Sequence, residues 1–263
     1  MNTAEKLVAI AEKSQAELNA VRGMNEELEN VLYNSASGGK SYYDAFWDIY
    51  QRNGTRTNYS YAFAGDGWCK DTFKPKYPIV PSATWGAMGM FFHFGLGYQE
   101  TLDFREIAHW FDFSVADRCA NLFNSAKINH IEIDLSNANN LDNAFGCDWS
   151  KTGRTHLTLK VSEKCTSYGS AFAYCSELTH LFFMEGSKIA AGVSVVSATE
   201  LIKESIESVI AALWDGASGK TLTLSLTAVK KAFETSSGAN NGNTSEEWLT
   251  LAATKSNWTI TLA

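Results

Sequence analysis

No run of about 18 apolar residues occurs in the 263-residue sequence, so no segment is expected to span a membrane. Charge is sparse and leans acidic, with 29 Asp and Glu against 22 Lys and Arg and a net charge of −7. That balance gives no basic face for nucleic acid and argues against docking on anionic lipid. The five cysteines, Cys69, Cys119, Cys147, Cys165 and Cys175, include no CxxC pair. They read as small buried hydrophobes rather than as a disulfide framework or a zinc site. The first residues lack the apolar core of a secretory signal, so synthesis in a host cytoplasm without that export route is expected. Enzyme signatures are missing as well: there is no GxSxG, no HExxH, no P-loop, and no GxGxxG before a helix. The expectation is therefore a protein that is not an enzyme and that needs no cofactor or metal.

What is present begins with a stretch free of proline. Residues 3–33 contain one glycine, Gly23, and fit a heptad frame. Position a holds Ala4, Ala11, Leu18, Asn25 and Leu32, and position d holds Leu7, Ser14, Val21 and Leu28. An apolar seam repeating every ~3.5 residues marks a coiled coil, and a buried Asn at an a position sets register and strand number. A lone helix of this length is marginal in water, so self-association, as a homotrimer, is expected. Its reach is about 45 Å. Ile10, Met24 and Val31 widen the stripe, so a single amphipathic helix packed on the body stays open as the alternative. Residues 1–37 are read as this stalk, ended by the hinge-like residues 34–40.

Residues 38–81 are rich in aromatics, with turns marked by Pro75, Pro78 and Pro81. They read as a cap whose rings plug one end of a stacked core. Residues 82–196 repeat imperfectly. Phe123, Phe145 and Phe172 are spaced by 22 and 27 residues. Each precedes a short strand with alternating apolar residues: Ile131 and Ile133, Leu157 and Leu159, Leu181 and Phe183. Leu102 and Phe104 read as an earlier rung. The spacing falls in or near the roughly 20–29 residues of a leucine-rich repeat, in which stacked units share a core and pair strands in parallel. Residues 197–263 read as a helical C-terminal cap, with helices over 197–213, 228–235 and 245–255 and strands over 221–226 and 258–262. The expected fold is α/β: a short irregular leucine-rich-repeat solenoid with a parallel sheet, a helical cap and an N-terminal coiled-coil helix.

Residues 171–181, Ala-Phe-Ala-Tyr-Cys-Ser-Glu-Leu-Thr-His-Leu, resemble the unit "aFxxCxxLxxIxL" of the BspA-like leucine-rich-repeat proteins of bacteria. Residues 43–50, 53–59 and 72–77 look like the N-terminal segment of a subgroup from gut Firmicutes and their phages and prophages. Residues 204–213, 219–224 and 254–262 look like its C-terminal segment. The resemblance spans about residues 41–263. It implies an adhesive protein of a surface or virion, encoded near phage tail genes, and carries no catalytic residues. The insertion at residues 151–154 and the segment 91–97 depart from the unit pattern.

One constellation stands out. His130, His156 and His180 each precede the first inward apolar residue of a strand, 26 and 24 residues apart. Equivalent residues of parallel strands sit about 4.8 Å apart, so the three imidazoles are expected to form a column on the outer sheet face. Such a column is a ligand contact, a Zn²⁺ or Ni²⁺ site, a pH-sensitive surface whose rings repel when protonated, or three unrelated solvent-facing side chains. The next column holds Glu132, Thr158 and Phe182, and the one beyond it Asp134, Lys160 and Met184. Thr101, Asp103 and Arg105 are expected to precede them in the same register. His130, Glu132, His156, Thr158, Lys160, His180 and Phe182 form the candidate binding face. Leu7, Ala11, Leu18, Val21, Asn25, Leu28 and Leu32 form the candidate oligomerisation seam.

The leading expectation is an attachment protein on a virion or phage-like particle. Its stalk contacts particle proteins and its repeat face a bacterial surface receptor or glycan. A structural fibre or decoration without a ligand is the alternative. A polysaccharide-degrading enzyme using Glu132 and Asp134 is the third.

Overall fold

The structure is a computed structural model, and it describes residues 14, 15, 17, 101–113, 116–146, 153–233 and 245–263. The chain forms two units, Met1–Ala45 and Phe46–Ala263. In the first, Ser14, Gln15 and Glu17 are helical and exposed. The seam residues Leu7, Ala11, Leu18, Val21, Asn25, Leu28 and Leu32 lie outside the described residues, as do the aromatic segment and residues 91–97. Among the described residues no helix is long and apolar enough to cross a membrane.

The second unit mixes helices with parallel strands. Strands β1 (Leu102–Asp103) and β2 (Ile128–Asn129) pair with each other. Strands β3 (Ile131–Asp134), β4 (His156–Lys160) and β5 (His180–Phe183) form a sheet in that order, and β6 (Val193–Val195), β7 (Lys220–Leu224) and β8 (Trp258–Leu262) form another. Every strand pairing among the described residues is parallel, and none of the sheets closes into a barrel. The period-two alternation drives this arrangement. Ile131, Ile133, Leu157, Leu159 and Leu181 are buried, while Glu132 is exposed and Thr158 and Phe182 are half-buried. The register puts Ile131 opposite Leu157 and Leu157 opposite Leu181, as the repeat alignment predicts.

The stretches between strands stack too. Phe123, Phe145 and Phe172 are buried, with ring centroids 5.9 and 5.7 Å apart and interplanar angles of 15° and 11°. Burying each ring is worth about 1.5–3 kcal/mol, and each stacked pair about 0.5–1.5 kcal/mol more. Backbone bonds hold the stack in step. The N–H groups of Asn121, Phe123 and Ser125 donate to the carbonyls of Asp142, Ala144 and Gly146 at 2.7–2.8 Å. Those of Leu141, Asn143 and Phe145 donate onward to Ser167, Gly169 and Ala171. Asn121, Asn143 and Ser170, two residues before each Phe, share a left-handed φ of 53–57°. Short polar side chains tolerate that conformation, which turns each unit the same way.

Two expectations change here. The repeat register places Thr101 opposite His130, but Leu102 pairs with Ile128 and Asp103 with Asn129, a displacement of three residues. After Asp103 the chain winds into a short 3-10 helix, Phe104–Glu106, whose Arg105 N–H donates to the Asp103 carboxylate at 3.0 Å. No extended residue is left there to face His130. The second change concerns residues 151–154. Arg154 closes this stretch with a side chain only 1% exposed, although Arg is among the residues least often buried. Its guanidinium donates to the carbonyls of Phe123 (2.9 Å), Ala126 (2.8 Å), Ile128 (3.2 Å) and Phe145 (2.5 Å). The departure from the repeat therefore supplies donors to backbone acceptors that the turns leave over.

At the far edge of the first sheet a helix takes the place of a further strand. Helix α1 (Lys203–Ala212) begins six residues later than the expected 197. The reason is tertiary: Ile202 stays extended because its N–H donates to Thr179 O at 3.0 Å, continuing the ladder. Ser205 Oγ then accepts the Leu181 N–H (3.0 Å) and Ser208 Oγ the Phe183 N–H (2.8 Å). Helices α2 (Leu226–Phe233) and α3 (Glu246–Ala253) follow, the latter capped by Ser245, and β8 spans the expected 258–262. Strand β6 pairs with β7, so this sheet bridges the boundary drawn at residue 197.

Candidate functional site

The histidine column forms. His130 and His156 stack with centroids 4.4 Å apart at 27°, and His156 and His180 at 4.0 Å and 9°. All three rings are half-buried. His156 and His180 are direct register partners, while His130 sits between β2 and β3 with a left-handed φ of 51°. Phe182 leans on His180 at 6.0 Å and 56°.

The residue before each histidine positions the ring. Asn129 Oδ1 accepts the N–H groups of His130 (2.8 Å), Thr155 (2.9 Å) and His156 (3.0 Å). Its Nδ2 donates to Thr155 Oγ1 at 2.9 Å. Thr155 Oγ1 in turn lies 2.8 Å from His156 Nδ1, and Thr179 Oγ1 lies 2.7 Å from His180 Nδ1. Thr155 O accepts the N–H groups of Thr179 (3.1 Å) and His180 (2.9 Å). Periodicity alone does not single out Asn129, Thr155 and Thr179. The signal was there: a short polar residue directly precedes each histidine of the column.

The neighbouring columns lie as expected. Glu132, Thr158 and Phe182 are register partners, with Asp134 opposite Lys160 beyond them. Asp134 caps the following turn by accepting the Ser136 N–H at 2.8 Å. On the other side Arg105 grips the Asp103 carboxylate through Nε and Nη2. That hydrogen bond holds the Asp103 carboxyl below its ordinary range. The His156 imidazole is also pushed below its usual value, first by desolvation and then by the neighbouring His180, His130 and Arg105. The column therefore favours a neutral central ring.

Face-to-face stacking makes the ring-plane lone pairs of neighbours run side by side. They do not converge on one ion with bonds of about 2.0–2.1 Å. Among the described residues, no group of three or more His, Cys, Asp or Glu is arranged to hold a metal. Cys119, Cys165 and Cys175 are buried thiols, as expected, and burial pushes the Cys119 thiol far up, away from thiolate chemistry. Cys69 and Cys147 lie outside the described residues. What the site offers chemically is a sheet face with an imidazole edge, one ring of phenylalanine, a hydroxyl, and charges of both signs. Comparison with protein-family models, curated proteins and solved structures finds no match to this chain.

Proposed function

We propose that this chain is a non-catalytic attachment protein in which an irregular leucine-rich-repeat solenoid of the BspA-like kind presents the histidine-bearing sheet face to a bacterial surface glycan or protein. The N-terminal heptads join three copies, and the stalk seats them on a phage or phage-like particle. The observation that carries the binding half is the face itself. His130, His156, His180, Glu132, Thr158, Lys160 and Phe182 lie in adjoining columns, and none of these side chains is fully buried. Parallel strands paired 26 and 24 residues apart, with a phenylalanine stack spaced by 22 and 27, support the solenoid reading, and stacked units commonly bind partners on their sheet face. The heptad seam and the family resemblance support the particle assignment.

The test is sedimentation of the purified full chain with intact cells and isolated cell walls of a panel of gut Firmicutes. Retention at micromolar concentration is expected, weakened at least tenfold by the combined variant H156A/H180A/F182A. Incorporation into particles without retention by any strain would leave only a structural fibre or decoration.

A further inference from the structure

The imidazole edge of the column has a polarity, and the hydroxyls beside it set that polarity. Asn129 is oriented without ambiguity, since its Oδ1 takes three backbone N–H groups. Its Nδ2 therefore donates to Thr155 Oγ1. The Thr155 hydroxyl proton has no other acceptor among the described residues than His156 Nδ1, 2.8 Å away, so the direction that uses that proton runs from Thr155 to His156. His156 then carries its own proton on Nε2. Thr179 is placed differently. Its Oγ1 is 3.1 Å from Thr155 O and 2.7 Å from His180 Nδ1. Both contacts are hydrogen bonds only if the hydroxyl donates to the carbonyl and His180 Nδ1–H donates to the hydroxyl. The neutral His180 ring then holds its lone pair on Nε2. Neither Nε2 has a partner among the described residues.

Two rings 4.0 Å apart thus offer a donor beside an acceptor. An anion would meet the His180 lone pair and the carboxylates of Glu132 and Asp134 on the adjoining columns. Of the cationic side chains nearby, Arg105 is engaged by Asp103, which leaves Lys160 opposite Asp134. A cation would meet the His156 Nε2–H. A hydroxyl group gives and takes a hydrogen bond at once, so it satisfies both rings. Phe182, half-buried against His180, adds apolar surface suited to the C–H face of a sugar ring.

We propose that the ligand of this face is a neutral glycan, its hydroxyls bound by His156 as donor and His180 as acceptor, with Phe182 packed against a pyranose ring. The proposal rests on the attachment reading and narrows it to one chemistry. The first measurement is long-range ¹H–¹⁵N correlation on the full chain labelled at histidine nitrogen, at neutral pH. His156 is expected to be protonated on Nε2 and His180 on Nδ1, and T155V is expected to release the His156 preference. The same tautomer on both rings in the unmodified chain overturns the polarity. The second is retention on a printed array of neutral and acidic glycans. Neutral glycans are expected to be retained, at least tenfold more weakly by T155V and by the separate surface variant F182A. Retention of acidic glycans alone, or of none, overturns the ligand class. If cells still retain the chain in that case, attachment stands and only this proposal fails.

Discussion

Arg154 shows how much a single side chain organises here. It is a guanidinium in the interior whose donors reach four backbone carbonyls drawn from two successive units. Replacing it by Met keeps most of the volume and removes the donors. A buried polar group left without its partner costs about 1–3 kcal/mol, and several acceptors are affected together. R154M is therefore expected to lose more than about 3 kcal/mol of stability, read as a fall in the urea midpoint at unchanged slope. An unchanged midpoint would mean that the carbonyls find other donors. Nothing in the local sequence announces this role. The stretch at 151–154 reads as a break in the repeat, and Arg is ordinarily a surface residue. The histidines are the opposite case. Their column is legible because strand equivalence alone lines up His130, His156 and His180.

Among the elements, helix α1 is the one that ends the first sheet. An edge strand presents unpaired N–H groups to any other chain, and β5 has its own covered by Ser205 and Ser208. Ser205 also donates to Thr179 O at 3.2 Å, so it mimics a strand on both counts. The double variant S205A/S208A is expected to cost about 1–3 kcal/mol for each orphaned group. It should also speed hydrogen exchange at the Leu181 and Phe183 amides relative to those of β4. Equal protection in the two strands would show that the serines are dispensable. The helix was legible from Ile206, Ile210 and Leu213 recurring at helical spacing, all of them buried. Its start was not, because Ile202 is held extended by a carbonyl more than twenty residues away in sequence.

For the whole molecule, the attachment reading makes a prediction about mass. Light scattering is expected to give a trimer for the full chain and a monomer for a chain beginning at Gly38. On that reading, joining three sites on one stalk would raise avidity without any new contact. A monomer in both cases would sink the trimeric stalk and leave a monomeric binding domain.

Some of this molecule is determined by its sequence alone. Side chains alternate along a strand with a period of two, so the run of Ile131, Ile133, Leu157, Leu159 and Leu181 suffices to define parallel rungs and to align the residues between them. The spacing of Phe123, Phe145 and Phe172 likewise marks the repeating unit, whereas the stacking of their rings is seen only in the structure. Only the tertiary structure decided the rest. The β1 register follows from where the chain turns after Asp103, and the ring orientations from hydroxyls and an amide reaching across strands. The burial of Arg154 follows from carbonyls that meet only once the units are stacked. Periodicity is a local property and survives in one dimension. Hydrogen bonds between residues about 25 positions apart exist only after the chain has folded back on itself.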